Sequence, residues 1–123
     1  MNENLWPFLL PDLILQTARR FPERVAVVDG ESEFTYRDLA MQIKAFADGL
    51  LRQGLRRGDR VGIFLNKRIE FVIASFGTAL AGGVFVPINP GLRSAQVFHI
   101  LSECSVSFLV TTPERLGLLK GFE

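Results

Sequence analysis

One cysteine, Cys104, and one histidine, His99, are all that this 123-residue chain holds of the residue types most used for thiol chemistry and soft metal sites. A lone thiol cannot build a disulfide framework, and no zinc-type spacing exists. Such usage points to a reducing, cytoplasmic setting. A single histidine leaves no histidine cluster for a metal and no relay through a second imidazole. An excess of charge of one sign is also missing. Fourteen Lys and Arg stand against thirteen Asp and Glu, a formal net charge of +1. No strong field exists to draw nucleic acid or an anionic lipid surface. The opening residues Met1, Asn2, Glu3 and Asn4 lack the positive region of a secretory signal. The apolar run at residues 5–10 contains Pro7 and has no small-residue cleavage site after it.

Charge is absent over one long stretch, residues 71–92. That is long enough to cross a bilayer. Gly82, Gly83 and Pro87 would interrupt a spanning helix, however. A buried helix running into a buried parallel strand produces the same apolar run, so no membrane span is expected.

What the chain does have is a core. Hydrophobic residues make up 48% and charged residues 22%. This composition suits a globular domain and opposes disorder. A domain of this length hides roughly two thirds of its unfolded surface.

Helical spacing of Leu13, Ile14, Thr17, Ala18 and Phe21 predicts a helix opened by Pro11 and Asp12 and stopped by Pro22. Residues 25–29 and 33–35 flank the turn pair Asp29-Gly30 and read as a hairpin. Thr35 and Asp38 form a capping-box variant. Behind it Leu39, Ile43, Phe46 and Leu50 make an apolar stripe, widened by Ala40, Ala47 and Leu51. Gly54 suits a left-handed helix cap with Leu55 packing back. Residues 61–65 read as a buried strand. Ile69, Val72, Ile73, Phe76 and Leu80 mark the next helix, ended by Gly82-Gly83. Residues 84–86 form a strand closed by Pro87 and Asn89-Pro90. Ser94 is placed to cap a helix carrying Val97, Phe98, Leu101 and Cys104. Residues 107–111 form the next strand, and Thr112-Pro113 caps a last helix over residues 113–120. The alternation predicts an α/β fold: a partial parallel sheet with right-handed crossovers, flanking helices and an N-terminal β-hairpin. Residues 61–65 and 84–86 are expected to pair in parallel. No repeat, low-complexity tract or interdomain linker divides residues 1–123.

Such sheets bind ligands at the carboxyl ends of their strands. Here those ends are Asn66-Lys67, residues 87–93 and Thr111-Thr112. None carries a convincing catalytic set. Residues 77–83 have the outer glycine spacing of a phosphate-binding loop, but Gly83 and Val84 stand where lysine and a hydroxyl residue are required. The segment also follows a helix, so it reads as a helix end. His99 reads as a neutral polar helix residue rather than a general base. Cys104, on an apolar stripe, reads as a small buried hydrophobe. Arg56, Arg57 and Arg60 read as a solvated turn, or as a contact to another part of a larger protein. Asp59 reads as a turn stabiliser.

Taken in order, several segments resemble the opening of the AMP-forming acyl-CoA synthetase superfamily. They are Arg20-Phe21-Pro22, Val25-Ala26-Val27-Val28-Asp29-Gly30, Phe34-Thr35-Tyr36-Arg37-Asp38-Leu39 and Leu50-Leu51-Arg52-Gln53-Gly54-Leu55. The strongest is Gly58-Asp59-Arg60-Val61-Gly62-Ile63 with Asn66, joined by Gly82-Gly83-Val84-Phe85-Val86-Pro87-Ile88-Asn89-Pro90. Val97-Phe98-His99-Ile100-Leu101 and Phe108-Leu109-Val110-Thr111 follow. Asn66-Lys67-Arg68 and Val110-Thr111-Thr112-Pro113-Glu114-Arg115-Leu116 resemble the acyl-CoA ligases associated with exosortase A systems. The resemblance implies the N-terminal portion of an acid–thiol ligase. Such an enzyme activates a carboxylic acid with Mg-ATP to an acyl-adenylate and passes the acyl group to coenzyme A, as in fatty acid metabolism. In the family, the phosphate loop, the nucleotide contacts and the catalytic lysine come later in the chain. The resemblance therefore assigns no catalytic, cofactor-binding or metal residue here, and implies ATP, Mg and coenzyme A only for the complete enzyme.

The chain alone is accordingly expected to be inactive and incomplete, with an open sheet edge and apolar surface beside it. The expected partner is the remainder of the ligase, or a protein covering that edge. The alternative is a non-catalytic interaction module that complements a separately encoded remainder. An independent nucleotide-binding domain is disfavoured by the missing phosphate loop.

Overall fold

The structure, a computed structural model, describes residues 10–119. The expectations placed on residues 1–9 and on Lys120 lie outside them. The described residues form five helices and five strands, which alternate from α2 onward: α1 (Leu10–Arg20), β1 (Val25–Asp29), β2 (Ser32–Thr35), α2 (Tyr36–Arg52), β3 (Arg60–Phe64), α3 (Ile69–Leu80), β4 (Val84–Pro87), α4 (Ser94–Glu103), β5 (Val106–Thr111) and α5 (Pro113–Leu118). β1 and β2 pair antiparallel as a separate hairpin. The main sheet has the order β4-β3-β5 and is parallel throughout. Val61 of β3 sits opposite Phe85 and Phe108, which confirms the expected pairing.

The central strand explains the apolar run in its sequence. Val61, Ile63 and Phe64 are all buried because neighbours flank β3 on both edges and helices cover both faces. On one face Val61, Ile63 and Leu65 pack with Ala74 of α3, Leu50 of α2 and Leu55. On the other Phe64 packs with Ile88, Val97 of α4 and Leu119. Leu65 lies just past the strand, yet is buried as expected.

α2 is specified locally. The Thr35 hydroxyl accepts from the Asp38 N–H at 3.1 Å, and the Asp38 carboxylate accepts from the Thr35 N–H at 3.4 Å. Gly54, at φ 96°, ends the helix as expected, and the Leu55 N–H bonds back to the Leu50 carbonyl at 3.0 Å. Thr35→Ala is expected to cost about 1 kcal/mol, read as a lower urea midpoint at unchanged slope.

Four expectations need correction. Leu51 does not widen the stripe of α2; it is 51% exposed, just past the edge that the buried Ala40 marks. Ser94 is the first residue of α4 and not its cap; the Gln96 side chain accepts from the Arg93 N–H at 3.0 Å, while the Ser94 hydroxyl donates to the Leu118 carbonyl. Cys104 is half-buried, because it stands where α4 ends rather than along its packed stripe. α3 is not one-sided. Its Val72, Ile73, Phe76 and Leu80 face Leu39, Ile43 and the hairpin, while Ala74 faces the sheet.

The uncharged stretch 71–92 is most of α3, a turn, β4 and the loop beyond. Among the described residues no helix is long and apolar enough to cross a membrane. Val84, on an edge strand, is 48% exposed, and every β5 residue from Phe108 to Thr111 is only half-buried.

One defect lies between α3 and the sheet. Thr78 is fully buried, and its hydroxyl has no hydrogen-bond partner among the described residues. A buried hydroxyl without a partner carries its desolvation cost uncompensated. Thr78→Val is therefore expected to stabilise by about 1 kcal/mol, raising Tm by roughly 4 °C in a thermal melt.

Candidate functional site

A parallel sheet offers a crevice where neighbouring strands send their following helices to opposite faces. β3 and β5 are such a pair. The helix after β3 packs on one face through Ala74, and the segment after β5 packs on the other through Leu119. The crevice at their carboxyl ends has a volume of roughly 350 Å³. Asn66, Arg68, Glu70, Thr112, Glu114 and Arg115 supply its polar wall.

Arg115 organises this rim. The Thr112 hydroxyl accepts from the Arg115 N–H at 3.2 Å, closing the first turn of α5. Helical side chains lean towards the helix N-terminus, which carries the guanidinium back over the sheet end. One amino group donates to the Pro90 carbonyl at 3.0 Å, and the other to Asn66 Oδ1 at 2.7 Å. The guanidinium carbon lies 5.0 Å from the centre of the buried Phe64 ring. One side chain thus joins the loops after β3, β4 and β5. The Thr111 hydroxyl adds a bond to the Phe64 carbonyl at 2.8 Å.

The loop after β3 is held on its other side by the hairpin. Asp29, with its side chain only 16% exposed, accepts from the Ile69 N–H at 3.2 Å and from Arg68 Nε at 3.4 Å. Arg68 precedes α3 and supplies no cap of its own. A carboxylate forty residues earlier does so instead, where it also complements the helix dipole.

The strand ends named from the sequence do converge. Asn66, the loop holding Pro90 and Thr112 meet around Arg115, a residue that the sequence singles out only through the family resemblance. No local signal marks it: α5 has six residues, so Arg115 stands in its last turn as much as in its first. The other candidates lie elsewhere. Gly77 is inside α3, so the loop-like glycine spacing is a helix and its end. His99 is exposed, with Nε2 3.9 Å from Glu103. Arg56, Arg57, Asp59 and Arg60 lie at the amino end of the sheet. There the Asp59 carboxylate accepts from the Arg56 N–H at 2.8 Å, which is the turn role expected of it. Arg60 donates to the Cys104 carbonyl at 2.8 Å, tying the starts of β3 and β5.

The crevice does not fit a nucleoside triphosphate by itself. Glu70 and Glu114 would face the phosphates, and two donors of Arg115 are already engaged by neutral acceptors. Among the described residues no group of His, Cys, Asp and Glu is placed to hold a metal ion.

The sequence pattern of one family, described as "AMP-binding enzyme", matches residues 14–121. A plipastatin synthase of Bacillus subtilis is 33% identical over 110 residues, covering 89% of this chain and 4% of that protein. A substituted propanoyl:CoA ligase of Rhodococcus jostii is 32% identical over 111 residues, covering 90% of this chain and 22% of that protein. Among solved structures, the N-terminal subdomain of Klebsiella oxytoca NpsA, in complex with anthranilyl-AMSN, aligns with a TM-score of 0.83 at 29% identity. That alignment covers 91% of this chain and 29% of that one. This chain therefore spans less than a third of the length of each.

Proposed function

The chain belongs to the AMP-binding enzyme family, and we propose that it is the N-terminal scaffold of an enzyme that activates a carboxylic acid with Mg-ATP as an acyl-adenylate and passes the acyl group to coenzyme A. The observation that carries this reading is the family match across residues 14–121, laid over a parallel sheet whose carboxyl-end rim is already assembled. The rim supplies shape and fixed loops. The groups that hold ATP and the reacting carboxylate come from polypeptide beyond these residues, since the crevice does not suit a triphosphate.

The acyl acceptor separates two readings. A match to a CoA ligase supports a thiol acceptor of that kind, whereas the match to a plipastatin synthase supports acid activation for peptide synthesis. The test is a graft. Residues 14–121 replace the matching segment of the Rhodococcus jostii ligase, and carboxylate-dependent exchange of pyrophosphate into ATP is followed, then acyl-CoA formation. Exchange followed by acyl transfer to coenzyme A is expected. Exchange without transfer would favour the peptide-synthetase reading. The 123-residue chain alone is expected to give no exchange, and any carboxylate-dependent exchange from it would overturn the assignment of chemistry to other residues.

A further inference from the structure

We propose that Arg115 is a positioning residue for the acid-activating site, fixing the loops after β3 and β4 against β5 through the fork of its guanidinium; the assignment to that reaction rests on the function proposed above.

Three observations carry it. The two amino groups of Arg115 reach different loops, Asn66 forty-nine residues away in sequence and Pro90 twenty-five away. Both acceptors are neutral, and among the described residues Arg115 forms no ion pair. Ion pairing is therefore not what the arrangement uses. What it uses is a planar fork with two donors at fixed angles, over an aromatic face that sets the plane. Lysine, a point charge with no plane, cannot reproduce that geometry.

The loops so held are short and carry few other ties. The Arg68 N–H bonds to the Asn66 carbonyl at 2.8 Å, the Gly91 N–H to Asn89 Oδ1 at 2.8 Å, and the Leu92 N–H to the Asn89 carbonyl at 3.1 Å. These amides report on loop order. The Ile88 N–H, bonded to the Ile63 carbonyl at 2.9 Å, belongs to the sheet and serves as the reference. The far side of the β3 loop is held by Asp29. Removing Arg115 therefore frees the side of that loop nearest the crevice and leaves the α3 end capped.

The experiment is residue-resolved amide exchange on the whole chain, comparing the parent with Arg115→Lys and Arg115→Ala. Arg115 is only half-buried, so both variants are expected to fold, checked by a thermal melt. In both, the Arg68, Gly91 and Leu92 amides are expected to exchange at least about tenfold faster, with Ile88 unchanged. Full protection in Arg115→Lys would overturn the proposal, because a charge alone would then suffice. Unchanged protection in Arg115→Ala would overturn it too, and so would a uniform rise including Ile88, which marks a loss of global stability. Arg115→Lys in the grafted ligase then reads the link to the reaction. A roughly tenfold loss of pyrophosphate exchange supports that link, and retained exchange removes it. Failure of the parent graft would strike the function proposed above, while the loop amides would still report the tie itself.

Discussion

Phe64→Ala is expected to cost about 3–5 kcal/mol, enough to leave the chain unfolded or barely folded at 25 °C, since small domains hold only about 5–15 kcal/mol in total. Among the described residues Phe64 is the largest of the fully buried side chains, and it sits on the central strand. Its ring fills the space between Ile88, Val97 and Leu119, contributed by three separate parts of the chain. Those neighbours belong to α4 and to the segments after β4 and α5, each tied to its own element, so the gap closes only in part. The cavity term therefore adds to the lost transfer energy. The same ring is the platform for Arg115. Phe64→Leu separates the two roles, because it keeps most of the volume and removes the aromatic face. It is expected to cost less than about 1.5 kcal/mol while loosening the Arg68 and Leu92 amides. Urea unfolding gives the first number and amide exchange the second. Equal losses in both variants would show that volume is not what Phe64 contributes.

The second large effect lies where α2 meets α3. Gly77→Val is expected to cost more than about 3 kcal/mol, and Gly77→Ala about 1–2 kcal/mol, by overpacking. A Cβ at Gly77 would stand 2.7 Å from Cδ2 of Phe46 and 3.1 Å from the Ile43 carbonyl oxygen. The Phe46 ring can rotate away. The carbonyl cannot, because it belongs to the backbone of α2. Two effects of opposite sign compete in the alanine variant. Helix propensity favours alanine over glycine by about 1 kcal/mol, while the clash costs more than that at this contact. Gly49 supplies the control. It lies in α2 with nothing within 4 Å of a built Cβ, so Gly49→Ala is expected to stabilise by up to about 1 kcal/mol. Thermal melts of the two alanine variants should move in opposite directions. Movement the same way would mean that the helix contact at Gly77 does not limit side-chain size.

Much of this architecture can be read from local signals. The capping box of Thr35 and Asp38, the glycine at 54 and the Thr112-Pro113 start each act within a few residues, and each is where the sequence places it. The parallel pairing follows from alternation of elements and the apolar run of β3. The second face of α3 could not be read the same way. Its sheet-facing side is small or polar in sequence, with Ala74, Ser75 and Thr78, and burial there depends on close approach rather than on hydrophobic bulk. Ser75 meets the cost by donating to the Phe71 carbonyl at 2.7 Å, which Thr78 does not.

The site was legible in outline only. The order of elements alone places strand ends at Asn66, Pro90 and Thr112. Their joining required two long-range ties that no local pattern encodes, Asp29 onto the start of α3 and Arg115 across Asn66 and Pro90. The family resemblance found the scaffold because those segments are spread along nearly the whole chain. It could not find the ties, since it assigns no role to Asp29 or Arg115. The narrower identification as an acyl-CoA ligase becomes one of two acceptor readings, because peptide synthases stand among the relatives.

Residues 14–121 set into the Rhodococcus jostii ligase offer the most direct measurement, the rate of carboxylate-dependent exchange between pyrophosphate and ATP. The expected rate lies within about tenfold of the parent ligase, since a scaffold of the same family should present the same rim, and a tenfold change corresponds to about 1.4 kcal/mol. A graft that folds, melts cooperatively and still fails to exchange would contradict the scaffold role.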